Sequence, residues 1–127
     1  MELVYLTILL ALAEYIGMSV LVARARRRYG VHAPAMTGNP DFERVNRVHY
    51  NTLEALIVFI PTVLLFARYI DPLWAAGLGA LFVIGRAIYA AGYIRAADKR
   101  GAGAGITGIV NLVLLLGALF GVIRALL

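Results

Sequence analysis

The chain has 127 residues, of which 62% are hydrophobic and only 15% charged, and its mean hydropathy is +0.85. A soluble domain runs at about 45–50% apolar and about 25% charged, so an ordinary soluble globule is excluded, and so is disorder, which needs low hydrophobicity. A net charge of +5 would suggest nucleic acid in a soluble chain, but here the basic residues lie between apolar blocks, where membrane topology signals lie, and no nucleic-acid partner is expected.

The apolar residues fall in the blocks Met1–Val22, Thr52–Ala67, Pro72–Ile94 and Ile106–Leu127. All but the second approach the ~17–25 residues of a membrane-spanning helix. The first helix is expected over Glu2–Ala23, with Glu14 at its middle. Its acidic start and the lack of a small-residue cleavage site read as a retained helix and not a signal peptide. A basic loop, Arg24–Pro40, follows. Asn39-Pro40-Asp41 is a turn and a helix start, because proline suits the first turn and aspartate its dipole. The second helix is expected over Asp41–Tyr69, polar in its first half and kinked at Pro61. Asp71-Pro72 starts a third helix ending near Arg95, with Arg86 at depth. Asp98–Gly105 reads as a basic, glycine-rich loop, and Ile106–Leu126 as the fourth helix. The expected fold is an all-α, integral membrane, up-down four-helix bundle forming one domain over residues 1–127. Six arginines between Arg24 and Arg47, and three basic residues from Arg95 to Arg100, face only Arg68 and Arg124 on the other side. The positive-inside rule then puts the first and third loops in the cytoplasm and both termini outside.

Polar groups at membrane depth are costly and face a bundle interior or a cavity. Arg47, Asn51 and Glu54, spaced by four and three, share one helix face, and Arg44 extends the stripe. They either pair with neighbouring helices or form a pocket for a zwitterionic ligand. In the pocket, Arg47 takes a carboxylate, Glu54 an ammonium group and Asn51 a peptide amide. Arg86, Tyr89 and Tyr93 form a second stripe on helix three. An aromatic belt at the membrane interface explains Tyr93 alone, but not the deeper Arg86. His49 lies beside the Arg47/Asn51 face. Cysteine is absent and no paired-histidine spacing occurs, so no metal is expected. Glu14 is expected to partner Arg86 or another buried polar group. Gly103–Gly108 matches G-x-G-x-x-G, but no strand precedes it, and it reads as a loop entering a helix. Gly117 and Gly121 mark close helix packing.

Residues 41–54 read D-F-E-R-V-N-R-V-H-Y-N-T-L-E. This resembles the signature of the MAPEG superfamily, the membrane-associated proteins in eicosanoid and glutathione metabolism, roughly E-R-x-x-R-x-[HQ]-x-N-x-x-E. Glu43, Arg44, Arg47, His49, Asn51 and Glu54 fill every position. Arg86, Tyr89, Gly92 and Tyr93 resemble the family's helix-three motif, R-x-x-Y-x-x-G-Y. Arg100 falls where the leukotriene C4 synthase and microsomal glutathione transferase branch carries a thiol-activating arginine. Arg26 and Arg27, ahead of Thr37-Gly38-Asn39-Pro40, also match that branch. The resemblance implies a homotrimer with glutathione as co-substrate, bound between neighbouring subunits at the cytoplasmic side. It assigns glutathione to Arg47, Asn51, Glu54, Tyr89 and Tyr93, with Arg26, His49 and Arg86 nearby. It makes Arg100 the catalytic residue, which holds the thiol as thiolate for attack on a hydrophobic electrophile or lipid reached from the bilayer. Glutathione-dependent peroxide reduction is a second product of the same thiolate.

Two other readings stand beside it. Members of the superfamily include non-catalytic lipid-binding scaffolds. Residues 12–17, L-A-E-Y-I-G, also resemble the first helix of small multidrug resistance transporters, which use one membrane-embedded glutamate. The charged stripe on helix two has no evident use in such an exporter. Eleven arginines to one lysine, with much alanine and glycine, suggest a GC-rich bacterial genome and an inner-membrane location.

Overall fold

The computed structural model describes all 127 residues in backbone and every side chain except that of Ala97. It contains α1 (Glu2–Tyr29), α2 (Pro40–Tyr69), α3 (Pro72–Arg95), one turn of 3₁₀ helix (Ala97–Arg100) and α4 (Gly101–Leu126). Each of the long helices is long and apolar enough to cross a membrane. The α2–α3 pair is central, and each of its members packs against both α1 and α4.

The helix starts follow their caps. The Asn39 side chain accepts hydrogen bonds from the Asp41 and Phe42 amides, at 2.9 and 3.1 Å, with Pro40 in the first turn. Asp71 does the same for Leu73 and Trp74, both at 2.8 Å, ahead of Pro72. These bonds satisfy amides that no earlier turn can reach. Asn39→Ala is expected to lower stability by about 1 kcal/mol, read as a fall in the thermal midpoint of the purified protein. A midpoint equal to wild type would show that the cap carries no weight.

Two expected boundaries are corrected. First, α1 continues past Ala23 to Tyr29 and stops at Gly30, whose φ of 66° is left-handed. Arg26, Arg27 and Arg28 favour the helix because cations complement the negative end of its dipole. The arginine run therefore marks a membrane edge, while the glycine marks the helix end. Second, Asp98–Gly105 is not a loop. It forms the 3₁₀ turn and the opening of α4. Of its glycines, Gly103 serves close packing: a Cβ there would lie 2.5 Å from Tyr89 Cα, while nothing lies within 4 Å of one on Gly101 or Gly105. Across the same seam, a Cβ on Gly85 would lie 2.7 Å from Ile106 Cγ2. Gly117 and Gly121 do the same on the α2 side, against Phe66 and Tyr69, as the small-residue spacing predicts. Pro61 lies inside an unbroken α2.

The interior has two apolar clusters between the long helices and a third, of Val22, Ala25, Val31 and Phe42, at the α1–α2 connection. The larger joins all the long helices and contains Ala11, Leu56, Phe59, Phe82, Val110 and Leu114. Its Phe59 and Phe82 rings stack at 4.0 Å between centroids. A second cluster packs Met18, Val48, Tyr89 and Tyr93. The outer surface is also apolar, with Ile16, Ile57, Ile109, Leu112 and Phe120 exposed. That combination suits a helix bundle in lipid, where close packing holds the helices together.

Candidate functional site

The polar half of α2 and the end of α3 meet at one end of the bundle. Arg44 fixes them there. Its Nε donates to the Ile94 carbonyl at 3.3 Å, and its guanidinium pairs with Asp41. The last turns of α1 and the first turns of α2, which hold most of the arginines, and the α3–α4 connection with Arg100 are thereby brought to the same end.

Beside this junction is a cleft of about 270 Å³ lined by Asn51 of α2, Arg86 and Tyr89 of α3, Arg100, and Thr107 and Asn111 of α4. Asn51 Nδ2 donates to the Tyr89 hydroxyl. The Tyr89 ring lies under the Arg86 guanidinium, 4.0 Å from its carbon to the ring centroid. Arg86 Nη2 donates to Thr52 Oγ1 at 2.7 Å, and Nη1 to Thr107 Oγ1 at 3.4 Å. Each threonine hydroxyl donates in turn to a carbonyl of its own helix, Val48 for Thr52 and Gly103 for Thr107. A hydroxyl can accept and donate at once, so both threonines fix Arg86 without losing a bond. Arg100 reaches the cleft mouth over Tyr93, with its guanidinium 5.7 Å from the ring centroid. The Tyr89 and Tyr93 rings are 5.6 Å apart.

The structure therefore brings together Asn51, Arg86, Tyr89, Tyr93 and Arg100. It leaves the other expected residues elsewhere on the protomer. Arg47 and Glu54 share the α2 face of Asn51, but both are exposed and have no hydrogen bond or ion pair among the described residues. Arg47 lines a separate hollow with Met36, Thr37, Glu43, Asn46 and Tyr50. Arg26 is engaged in the α1–α2 connection. It donates to the Ala35 carbonyl at 2.6 Å, and its guanidinium lies 4.8 Å from the Phe42 ring centroid. His49 is stacked flat on Tyr15 of α1, at 4.5 Å and 11°, and does not line the cleft. Residues 49 and 51 lie about 200° apart around a helix, which sends them to different neighbours. Glu14 forms no ion pair among the described residues, and its Oε2 is buried without a hydrogen-bond partner.

Thr52, Thr107 and Asn111 were not predicted from the sequence. Asn111 had a signal. It is a lone amide among the apolar residues of α4, and at that depth it must face the interior. Its Nδ2 donates to the Ala55 carbonyl at 3.1 Å, and its Oδ1 is buried and unpartnered beside the cleft. The threonines gave no such signal, because threonine in an apolar helix commonly bonds its own backbone.

Chemically, the cleft presents two guanidinium groups, one phenol ring and two amides. That set suits an anionic ligand with hydrogen-bonding groups, beside a wall of α4 that ends in apolar surface.

The family described as MAPEG family matches residues 3–120. An uncharacterized protein of Synechocystis sp. is 48% identical over 124 residues, covering 96% of this chain and 90% of its own. Microsomal glutathione S-transferase 2 of Homo sapiens is 42% identical over 99 residues, covering 77% of this chain and 67% of its own. Leukotriene C4 synthase of Cavia porcellus is 38% identical over 82 residues, covering 65% of this chain and 55% of its own.

Proposed function

The chain belongs to the MAPEG family, and from this we propose that it is an integral membrane glutathione transferase that acts on a hydrophobic electrophile. Its active form is a homotrimer of four-helix units, each spanning residues 1–127. The arginine-bearing helix ends and the connections they flank are cytoplasmic, the termini lie on the other side, and the membrane is a bacterial inner membrane. Glutathione binds at the cytoplasmic end, between neighbouring subunits.

What carries this reading is the cleft that gathers Asn51, Arg86, Tyr89 and Arg100, on the flank where α2 exposes Arg47 and Glu54. Charged side chains on a membrane-spanning helix call for a partner. Glutathione, with two carboxylates, an ammonium group and peptide amides, offers one of matching chemistry, and a neighbouring subunit closes the site over it. Arg26 and His49 are engaged within the protomer, so their assistance to the ligand is indirect. The two named relatives, a glutathione S-transferase and leukotriene C4 synthase, support the same activity here.

The chemistry follows from one cation. A free thiol has a pKa of about 8.5, and an adjacent fixed positive charge lowers it. A guanidinium stays protonated at all working pH values, so Arg100 stabilises the thiolate without exchanging a proton itself. The thiol proton leaves to water. The sulfur lone pair forms the new S–C bond while the electrophile's leaving group departs with the displaced pair or, in an addition, the π pair of the double bond moves to the far atom, which takes a proton from water. With a hydroperoxide, the thiolate attacks oxygen, the alcohol departs, and a second glutathione completes the reduction to disulfide.

The test is to titrate the detergent-purified protein with glutathione and record the ultraviolet thiolate band, then add a hydrophobic electrophile and follow the conjugate. A thiolate band at neutral pH with turnover is expected. Absence of both would overturn the catalytic reading in favour of a lipid-binding role. Arg47→Ala is expected to weaken glutathione binding about tenfold while leaving the thermal midpoint unchanged, because Arg47 makes no contact that folding depends on. An unchanged glutathione dissociation constant would remove Arg47 from the site.

A further inference from the structure

One level of the bundle is polar, and every long helix contributes to it. In α1, Glu14 lies between the buried Ala11 and Met18, three and four residues away. In α2, Thr52 lies between Val48 and Leu56, and in α3, Arg86 lies between Phe82 and Tyr89. In α4, Thr107 lies three residues before Val110. Spacings of three and four keep a residue on the same helix face. Glu14, Thr52, Arg86 and Thr107 therefore form one layer between the larger apolar cluster and the Met18/Val48/Tyr89/Tyr93 cluster.

Within this layer Arg86 is 3% exposed, and the groups that hold it are neutral: two threonine hydroxyls and the Tyr89 ring. Its Nε has no hydrogen-bond partner. A buried guanidinium with only neutral partners keeps most of its desolvation cost. Of the chain's seven acidic residues, Glu14 is the one that faces inward at this level. Glu2, Asp41, Glu43, Asp71 and Asp98 stand near helix ends, and Glu54 faces outward. Glu14 Oε2 is itself buried without a hydrogen-bond partner, in the same layer as the unpartnered Arg86 Nε. The other titratable group nearby, His49, is held flat against Tyr15.

We propose that Glu14 is the counter-charge of Arg86 and, through it, a positioning residue for Tyr89 and Asn51. The carboxylate fixes the guanidinium in the polar layer. The guanidinium packs over the face of the Tyr89 ring, and the Tyr89 hydroxyl receives Asn51 Nδ2 at the cleft. The effect on ligand binding rests on the glutathione-transferase reading. The charge pairing does not.

The test is a double-mutant cycle of Glu14→Gln, Arg86→Gln and the double variant in the full-length purified protein. Thermal midpoint and the glutathione KM and kcat are measured for each. Each single variant is expected to lower the midpoint by about 10 °C, and the double variant by clearly less than the sum. Additive losses, or a wild-type midpoint for Glu14→Gln, would overturn the pairing. Glu14→Gln is expected to raise the glutathione KM about tenfold with kcat changed less than about threefold, because Arg100 is untouched. Equal loss of KM and kcat would overturn the positioning role. Glu14→Asp keeps the charge one methylene short and should retain most of the midpoint and the KM. Loss as deep as in Glu14→Gln would overturn the proposal. A wild-type protein that binds no glutathione would remove the transferase reading, while the midpoint cycle would still decide the pairing.

Discussion

Arg100→Ala is expected to abolish the thiolate band of bound glutathione and to lower turnover roughly a hundredfold, the usual loss when one preorganised electrostatic partner is removed. The glutathione dissociation constant should change by no more than about threefold, because the carboxylates and amides are held by other residues. Arg100 is exposed and stands at the cleft mouth over Tyr93, so its loss leaves the bundle intact. The thermal midpoint should therefore match wild type. Arg100→Lys keeps a charge but not the planar fork, and should recover part of the band. A full thiolate band in Arg100→Ala would move the activating cation elsewhere, with Arg86 the next candidate in the same cleft.

The second large effect is expected at a residue with no polar chemistry. Gly103→Ala places a Cβ 2.5 Å from Tyr89 Cα, and a backbone atom of a packed helix cannot yield as a flexible side chain can. The α3–α4 seam must open, at a cost of about 3 kcal/mol or more, toward the upper end for overpacking. Because Tyr89 carries the bond to Asn51, the glutathione KM should rise together with the loss of thermal midpoint. Gly105→Ala, two residues on, is the control: nothing lies within 4 Å of its Cβ. It should be neutral or stabilising by up to about 1 kcal/mol, the helix-propensity difference between glycine and alanine. Equal behaviour of the two variants would show that the seam is not held by close backbone contact.

This contrast shows what the sequence could and could not reveal. The caps at Asn39 and Asp71 were legible because they use local chemistry, a side-chain oxygen two or three residues from an orphan amide. The α2 stripe was legible because helical spacing alone places Arg47, Asn51 and Glu54 together. Spacing does not say what a face meets. Asn51 turns toward Tyr89, while its stripe neighbours lie open on the protomer surface. Charge was likewise ambiguous. Arg26 and Arg44 have the same side chain as Arg47, yet they donate to the Ala35 and Ile94 carbonyls across sequence separations that no periodicity reports. The Asp98–Gly105 stretch reads as a loop in sequence because its glycines look alike there, whereas Gly103 is buried against Tyr89 and Gly101 and Gly105 are exposed in the same helix. Burial is set by the partner helix.

The apolar wall of α4 has a consequence for how any lipophilic partner is met. Gly108 and Asn111 line the cleft, while Ile109 and Leu112, their immediate neighbours in sequence, are exposed on the outer surface of the same helix. A molecule dissolved in the bilayer thus reaches the cleft rim along a surface of its own polarity, without first passing through water. Its encounter rate is governed by its mole fraction among the surrounding lipids, a two-dimensional concentration, and not by its amount per litre. Adding detergent at a fixed quantity of electrophile dilutes that mole fraction and slows the reaction, while the water-borne thiol is unaffected. Under the proposed transferase activity the two substrates obey different concentration scales, and the boundary between those scales runs along the flank of α4.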